Sequence, residues 1–428
     1  QPHRTSPIAA ALLAAAMAIM MAGCVTEDAP RRPVARNSAG TSSVPPALPS
    51  GPIAAPSRGL STSSRVLIGL APIGVVPYDG QILPLISPDG RMCAVQQGDP
   101  ASWPTLLAAP DAEFPAFSSL AVFDLTTSPP SRIDTASSIP PGMLLGRACD
   151  HRGFLVESPR PDGARWIGRV SWQSGDIEWL ARDQGVCSHG MLMADGSLLY
   201  TRRSIESQVT ELVLRTPSGA TAVRGDPNLP YAMPMATSDP SVVYALMLTT
   251  SGIELHALNV KTEGAAPRLG PVIARRLVSS ARDIATAYQI AAPVQAPFPR
   301  SAATDASQPP DPLIIFSPLV GRIAVFDVRT SALMPLSQGS VAAARWNNAT
   351  RPGYLCTTPK GLVFAAEPQP GRSAESQPPD ARLLAEAYVP RRTLDPARPA
   401  ILLGPVRSDP RLLELIAIAP ADDAAKQP

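Results

Sequence analysis

Two Cys-x-His sequences supply the residue types that could bind a metal. Cys149-Asp150-His151 and Cys187-Ser188-His189 together offer two thiols and two imidazoles, which are the ligands of a tetrahedral zinc site. The repeat pattern described below argues against this site, because it places the two pairs out of step. The offset, about six residues at about 3.3 Å per strand residue, is roughly 20 Å. The sequence therefore favours unrelated thiols, with a metal site or a Cys149–Cys187 disulfide as the alternatives.

An apolar segment that ends on a cysteine stands at the start of the chain. The first residues are weakly basic, residues 8–22 are apolar, and the small residue Gly23 comes directly before Cys24. This layout is typical of an export signal. Its apolar part is shorter than the roughly 20 residues that a membrane-spanning helix requires. The sequence therefore predicts a signal peptide over residues 1–23, with cleavage between Gly23 and Cys24.

The four residues Met21-Ala22-Gly23-Cys24 resemble the lipobox of bacterial lipoproteins. The resemblance implies acyl chains on Cys24 that anchor the protein, since two or more chains hold a protein stably at a bilayer. It also implies a place in the bacterial cell envelope, facing the periplasm or at the cell surface. Val25 stands where an Asp favours the inner membrane in enteric bacteria, so the outer membrane is favoured here. An ordinary cleaved signal with an incidental cysteine is the alternative.

Composition argues against several classes of function. The chain has 428 residues and a formal net charge of +2, without the basic stripe that nucleic-acid binding requires. Arginine is abundant and lysine rare, which fits a GC-rich genome and requires no phosphate-binding site. The 51 prolines argue against long helices. The widely spaced cysteines beyond Cys24 allow two disulfides, one or none in an exported protein; they are Cys93, Cys149, Cys187 and Cys356.

Composition also divides the chain into regions. Residues 24–64 are rich in Pro, Ser, Ala and Gly and lack periodic apolar residues, which predicts a lipidated N-terminus followed by a flexible tether. Residues 65–420 consist of short β-type runs separated by turn residues. Residues 421–428 are predicted to be a disordered tail.

The β-type runs repeat along the chain. Segments 120–127, 255–262 and 323–330 each read as a strand that ends on Asp or Asn before a turn containing Thr. Equivalent positions recur about every 45 residues once two Pro/Ser-rich insertions, 293–312 and 367–381, are removed. Such a period with four short strands is typical of a propeller blade. The aligned positions are Asp124, Ser171, Arg215, Asn259 and Asp327, with Tyr388 as a sixth.

Six such units fit between residues 82 and 404. Two further strands, 66–70 and 412–418, remain at the ends, where they either pair with each other to close a ring or complete a seventh unit. The sequence therefore predicts an all-β, six-bladed β-propeller, with a seven-bladed one as the alternative. In the two clearest units the predicted strands are 187–193, 197–202, 210–215, 220–224, 231–236, 241–248, 253–260 and 268–275.

The hairpin Ser87-Pro88-Asp89-Gly90-Arg91 resembles that of TolB-type, WD-repeat-like bacterial propellers. In that family the following strand typically ends on Asp, as at Asp124 and Asp327. Later units carry partial copies, such as Asp150-His151-Arg152-Gly153 and Ala194-Asp195-Gly196. The resemblance implies a propeller over most of residues 66–420 and leaves its partner open.

Acidic residues recur at turn positions of successive units, at Asp150, Asp195 and Asp239. Carboxylates around a propeller channel would suit a calcium-dependent lactonase. Recurrence in every unit is more typical of turns, where Asp side chains bond to the backbone. No Gly-x-Ser-x-Gly elbow, phosphate-binding loop or dinucleotide fingerprint occurs. The sequence therefore assigns no catalytic, cofactor-binding or metal-binding residue and favours a protein without enzyme activity.

Tryptophans could mark a surface that binds sugars or peptides. Trp103 lies in the long insertion 98–117 and is expected in a loop. For the other four, packing within or between blades is the favoured interpretation; they are Trp166, Trp172, Trp179 and Trp346.

These patterns together predict a lipid-anchored propeller that acts as a protein-binding or scaffold module in the cell envelope. Its expected partners are a membrane, through the acyl chains, and an unidentified envelope protein, without nucleic acid or cofactor. The alternatives are an envelope hydrolase or lactonase with acidic residues in the channel, and a carbohydrate-binding propeller. Three or four inward carboxylates would favour the enzyme, and an exposed apolar patch would favour a protein partner. The oligomeric state stays open.

Overall fold

A computed structural model describes residues 68–78, 82–97, 119–133, 139, 143–204, 209–225, 229–263, 266–291, 312–337, 339–348, 351–358, 361–366, 388–406 and 408–420. The predicted signal peptide, the lipid attachment at Cys24 and the tether lie outside these residues. The same holds for Trp103, for insertion 367–381 and for the tail 421–428. No helix among the described residues is both long enough and apolar enough to span a bilayer.

The described strands form six hydrogen-bonded sheets, and one of these has eight strands that divide into two four-stranded halves. Counted separately, the halves bring the number of antiparallel units to seven, which we call sheets 1–7. Sheet 1 contains β2 (Leu85–Ile86), β3 (Met92–Gln97), β4 (Ser119–Asp124) and β5 (Ser131–Arg132). Sheet 2 contains β6 (Leu144–Cys149), β7 (Gly153–Pro159), β8 (Arg165–Ser171) and β9 (Ile177–Ala181). Sheet 3 contains β10 (Val186–Leu192), β11 (Leu198–Arg203), β12 (Thr210–Arg215) and β13 (Thr221–Arg224).

The remaining sheets follow in chain order. Sheet 4 contains β14 (Tyr231–Ala236), β15 (Val242–Thr249), β16 (Gly252–Glu263) and β17 (Ala266–Ser279). Helix α1 (Ile284–Ala291) precedes sheet 5, which contains β18 (Leu313–Ser317), β19 (Arg322–Asp327) and β20 (Ala332–Pro335). Sheet 6 contains β21 (Ala342–Asn348), β22 (Arg351–Thr358) and β23 (Gly361–Ala366). Sheet 7 contains β24 (Val389–Arg392), β25 (Ala400–Val406), β26 (Asp409–Pro420) and, from the other end of the chain, β1 (Ile68–Pro77).

Sheet 7 joins the two ends of the described chain. β1 pairs antiparallel with β26, from Ile68 opposite Pro420 to Pro77 opposite Leu412. The two leftover strands thus pair with each other and also belong to a seventh unit, so the two alternatives left open by the sequence were not exclusive. The pairing also gives β26 a partner on the side away from β25, so the edge of the sheet is not left open there.

Buried apolar side chains fill the space between consecutive sheets all the way round. One cluster joins sheets 1 and 2, another joins sheets 2, 3 and 4, and three more join sheets 4 to 7 in turn. The last cluster packs Ile401 and Leu415 of sheet 7 against Cys93 and Val95 of sheet 1. Each such side chain contributes about 1.5–3 kcal/mol by leaving water. Because the last sheet packs on the first, the sheets form a closed ring, which is the architecture of a β-propeller.

The turns explain why the repeat is visible in the sequence. In the first hairpin, Asp89 accepts hydrogen bonds from the Ser87 hydroxyl (2.6 Å) and from the Arg91 backbone N–H (3.1 Å). The next residue, Gly90, has a φ of +69°, a conformation that favours glycine. A side chain there would also meet Thr393 of sheet 7. The Asp-Gly sequence is therefore required by the backbone of this turn.

The unit count differs from the six favoured by the sequence. Tyr388 was aligned with the ends of third strands, but it directly precedes β24, the first strand of sheet 7. The sixth predicted unit thus combined strands of two sheets, 6 and 7. The regular spacing failed here because residues 367–387, which contain the second insertion, separate the two sheets. In the two clearest units, all eight predicted strands are confirmed to within a few residues.

Helix α1 was not predicted. Asp283 caps its N-terminus, since its carboxylate accepts hydrogen bonds from the backbone N–H (2.7 Å) and hydroxyl (2.9 Å) of Thr286. Ala287, Ile290 and Ala291 are buried in the cluster between sheets 4 and 5. An Asp followed by an alanine-rich segment is a helix signal that the strand pattern on both sides concealed.

Candidate functional site

The first strand of each sheet lies towards the centre of the ring and the last strand towards its rim. β14, first in sheet 4, is buried throughout, whereas β5, last in sheet 1, is exposed. First strands of neighbouring sheets also contact one another, as β6 does with β10 and β10 with β14. Helix α1 packs on β14 and β18, so it takes the place of a first strand at sheet 5. Polar side chains on these elements therefore converge on the centre.

Four arginines lie on first strands, and we call three of them, Arg147, Arg345 and Arg391, the central arginines; the fourth is Arg392. Arg147 is on β6, Arg345 on β21 and Arg391 on β24. Arg345 and Arg391 are buried, and Arg147 is partly buried. Arginine is seldom buried unless it is paired or has a function. Finding three on the innermost strands of one ring makes the centre the strongest candidate site.

Arg147 extends across the ring. Its Nη2 donates a hydrogen bond to the backbone oxygen of Pro234 at 3.0 Å. Pro234 is on β14 of sheet 4, so the guanidinium reaches past sheet 3. Its Nε is buried and has no hydrogen-bond partner among the residues that the structure describes. Burial lowers the pKa of Arg147, and the nearby Tyr288 and Glu157 act in the opposite direction.

Arg391 is buried on β24, the first strand of sheet 7. Burial lowers its pKa to about 10, an effect opposed by Tyr78, Tyr288 and Cys149. Tyr288 is on helix α1, and it acts on the pKa of both Arg147 and Arg391. Guanidinium groups from sheets 2 and 7 therefore lie within electrostatic range of one phenol carried by α1.

Arg345 is held by its own sheet. Its Nη1 donates a hydrogen bond to the hydroxyl of Tyr354 at 3.1 Å, and its guanidinium carbon lies 5.6 Å from the centre of that ring. Tyr354 is on β22, directly opposite Arg345 in the register of sheet 6. This arginine is thus positioned by a cross-strand pair next to the centre.

A second group of buried charges lies between sheets 2 and 3. Glu157 on β7 accepts a hydrogen bond from Arg165 Nη1 at 3.2 Å, and both side chains are about nine-tenths buried. The other carboxylate oxygen accepts the backbone N–H of His189 at 2.6 Å. Arg165 also lies 3.3 Å from the hydroxyl of Ser188. The charge of Glu157 is therefore balanced within this group.

His189 connects this group to the centre. It is the partly exposed residue of β10, at an irregularity in the pairing of β10 with β11, and its φ is +59°. Its Nδ1 lies 3.1 Å from the hydroxyl of Thr201. Burial lowers the pKa of His189 to about 4; the positive charges of Arg147 and Arg165 add to the effect, and Glu157 opposes it. At neutral pH this imidazole is uncharged.

The two Cys-x-His sequences are not brought together. Cys149 belongs to the cluster between sheets 1 and 2, whereas Cys187 belongs to the cluster that joins sheets 2, 3 and 4. The four cysteines of the described chain are buried free thiols, and burial raises the pKa of each. The disulfide alternatives for these four residues are therefore wrong. No group of three or more His, Cys, Asp or Glu side chains among the described residues is placed to hold a metal ion.

The recurring aspartates are turn residues, as the sequence predicted. Asp150 accepts the backbone N–H groups of Arg152 (2.9 Å) and Gly153 (2.8 Å). Asp195 does the same for the N–H of Ser197 at 2.9 Å, and Asp239 for that of Ser241 at 2.8 Å. These contacts give the three carboxylates a structural role in their hairpins.

The tryptophans within the described part pack against protein. Trp172 is buried, lies 4.9 Å from Phe154 and donates a hydrogen bond to the backbone oxygen of Asp150 at 2.8 Å. Trp346 is buried between sheets 6 and 7. Trp166 and Trp179 are partly exposed and meet edge to face at 5.5 Å. The packing interpretation is confirmed for Trp172 and Trp346.

The sequence analysis missed the central arginines. It attributed the abundance of arginine to base composition, although Arg147 and Arg345 each stand within a short apolar strand, in LLGRAC and AAARWNN. A charged residue in the first strand of a unit is the signal that could have identified them. The resemblance to TolB-type propellers rests on turn residues, so it gave no information about the strands that meet at the centre.

Comparisons with known proteins found matches among solved structures. No protein-family model matches the sequence, and no curated protein matches it. TolB from Acinetobacter baumannii matches at 15% identity and a TM-score of 0.26, over 44% of this chain and 45% of that one. The Dos1 propeller matches at 9% identity and a TM-score of 0.41, over 81% and 95%. Dipeptidyl peptidase 4 from Porphyromonas gingivalis matches at 10% identity and a TM-score of 0.41, over 81% and 52%.

This chain thus spans less than half the length of the A. baumannii TolB that it matches. The TM-scores are low, and the fold is assigned from the order of the sheets and the closed ring of apolar clusters. By these criteria the chain is a β-propeller, and its centre carries arginines from three separate sheets.

Proposed function

We propose that this protein is a lipid-anchored, seven-bladed β-propeller that acts as a protein-binding or scaffold module in the bacterial cell envelope. The observation that carries the proposal is the centre of the ring, where the first strands of sheets 2, 6 and 7 carry buried or partly buried arginines. Such a site suits binding, since guanidinium groups recognise acidic groups of a partner through oriented N–H donors. The hydrolase, lactonase and carbohydrate-binding alternatives have no comparable support.

The blade number is supported by the seven sheets and by the strand that the N-terminal side contributes to sheet 7. A designed disulfide tests the closure. Ala71 lies opposite Ala417 in the β1–β26 register, so Ala71→Cys with Ala417→Cys is expected to form an intramolecular disulfide on mild oxidation. The expected result is a higher thermal unfolding temperature than that of the reduced form. Failure of the bond to form in the folded protein would contradict closure by these two strands.

The anchor is supported by the sequence Met21-Ala22-Gly23-Cys24. In this proposal residues 1–23 are removed, residues 24–64 tether the domain of 65–420, and the outer membrane is favoured over the inner one. Labelling of cells with an alkyne-bearing fatty acid is expected to mark the protein, and Cys24→Ser is expected to abolish the label. A label that persists in this variant would contradict acylation at Cys24.

Crosslinking and affinity capture of the tagged protein from its own envelope test the binding role. One or two stoichiometric partners are expected, and they should be lost or weakened with Cys24→Ser, because the tethered domain meets its partner at a high effective concentration. The absence of any partner under several crosslinking chemistries would overturn the proposal. It would then direct attention to assays of hydrolase activity.

A further inference from the structure

We propose that the centre of the ring binds an oxyanion, a carboxylate or phosphate group, through the guanidinium group of Arg147. The inference rests on the proposed role as a binding module and names the chemistry of what is bound. Arg147 is on β6, the first strand of sheet 2, and its guanidinium reaches Pro234 on β14, the first strand of sheet 4. The candidate donors thus lie across the innermost strands of the ring.

The charge balance around Arg147 is positive. Glu157 is the carboxylate that acts on it electrostatically, but the two oxygens of Glu157 are engaged by Arg165 and by the His189 backbone N–H. Arg147 itself forms no ion pair among the described residues, and its hydrogen-bond acceptor on β14 is a neutral backbone oxygen. A guanidinium in such a place costs folding free energy, which a bound anion would offset.

The donors of Arg147 are positioned before any ligand arrives. The hydrogen bond from Nη2 to the Pro234 oxygen fixes the plane of the guanidinium, and the buried Nε–H remains without an acceptor among the described residues. A planar guanidinium presents its N–H groups as a fork that matches the two oxygens of a carboxylate or phosphate. Because the donors are already oriented, little side-chain entropy is lost on binding.

The surroundings of Arg147 strengthen its attraction for an anion. Arg147 is partly buried on the innermost strands, so its charge acts in surroundings of lower dielectric constant than bulk water. An anion is therefore attracted more strongly there than at an exposed arginine.

Titration calorimetry on the full-length protein in detergent micelles tests the proposal at low ionic strength in a chloride buffer. The probes are inorganic phosphate, citrate and a hexaglutamate peptide, which separate free small anions from carboxylates carried on a polypeptide. Saturable binding of at least one probe is expected, and Arg147→Gln should weaken it at least about tenfold because a hydrogen-bonded charge contact is lost. The matched control is Arg152→Gln, on the same sheet but 71% exposed, which should leave the affinity unchanged.

Each outcome decides the matter. Tighter binding of hexaglutamate supports an acidic protein segment as the source of the anion, and tighter binding of phosphate or citrate supports a free ion. No saturable binding of any probe, or equal affinity in Arg147→Gln, would overturn the site. If Arg147→Gln does not fold, Arg147→Lys keeps the charge without the fork and should still weaken binding. A partner captured equally well by Arg147→Gln would leave the binding module intact while the anion site fails.

Discussion

Two groups of buried charge lie beside the centre of the ring, and they are balanced differently. Between sheets 2 and 3, Glu157 and Arg165 face each other at 3.2 Å, and the remaining oxygen of Glu157 accepts the His189 backbone N–H. At the centre, Arg147 donates to a neutral backbone oxygen and forms no ion pair within the described chain. The first group satisfies its charges internally, as structural networks do. The second keeps a positive charge that forms no ion pair with a carboxylate of the described residues, so the two groups should respond to mutation with opposite signs.

The largest effect is expected from Glu157→Gln. The substitution removes the carboxylate that pairs with the buried Arg165, and we expect the free energy of unfolding to fall by about 3–5 kcal/mol. Urea denaturation followed by circular dichroism measures it. The double variant Glu157→Gln with Arg165→Met removes the orphaned charge and keeps an acceptor for the His189 N–H. It should recover most of the loss. If Glu157→Gln alone were as stable as the parent, the Glu157–Arg165 pair would not contribute to the stability of the fold.

The next effect is a dependence of stability on pH. Since burial lowers the pKa of His189 from 6.5 to about 4, the unfolded chain binds a proton between these values that the folded protein excludes. Stability should therefore fall as the pH falls through this window, by at most about 1.4 kcal/mol per unit, and it should be unaffected by this group above the window. Denaturation at a series of pH values measures the slope.

The matched control for this slope is His189→Asn, because asparagine tolerates the φ of +59° at this position. The variant should lose the part of the slope that His189 contributes, up to one proton. Arg147→Gln removes one of the positive charges that lower the pKa of His189, so it should narrow the pH window without abolishing the slope, because burial is the larger cause. Equal slopes in the parent and in His189→Asn would show that this imidazole titrates normally in the folded protein.

Arg147→Met is expected to change stability in the opposite direction to Glu157→Gln. It replaces an uncompensated charge by an apolar side chain of similar length, and we expect a gain of about 1 kcal/mol in the free energy of unfolding. The same variant should lose anion binding. If the free energy of unfolding instead fell by about 2 kcal/mol or more, Arg147 would stabilise the fold, as the Glu157–Arg165 pair is expected to do.

The smallest effect is expected at the surface of sheet 2. Arg152 and Glu178 form an ion pair at 3.2 Å, but their side chains are 71% and 51% exposed. Arg152→Gln should therefore change the free energy of unfolding by less than about 0.5 kcal/mol, and added salt should change it little further. A larger loss of stability would show that this exposed ion pair contributes to folding as the buried Glu157–Arg165 pair does.

Local features of the fold were predictable because they depend on neighbouring residues. The Asp-Gly turns, such as Asp89-Gly90, are specified by side-chain bonds to the adjacent backbone and by a positive φ. The eight strands of sheets 3 and 4 follow from alternating apolar residues between such turns. Sheets 5 to 7 were predicted less well, because two insertions interrupt the spacing and helix α1 replaces a strand pattern.

The candidate site was not predictable in the same way. Arg147, Arg345 and Arg391 are far apart in the chain, and each is an ordinary arginine in its local sequence. Only the closing of the ring places their strands around one centre. The same is true of Tyr288, which enters the site through a helix that the strand pattern concealed.

The sequence by itself determined the all-β class, the turn residues and the repeated unit. These follow from short-range hydrogen bonding, backbone conformation and the alternation of apolar side chains, which act between neighbours in the chain. The tertiary structure decided the assignment of strands to seven sheets, the separation of Cys149 from Cys187, and the convergence of arginines on the centre. Those depend on which strands pack together, and packing partners are set by the burial of apolar faces across the whole ring rather than by any local segment.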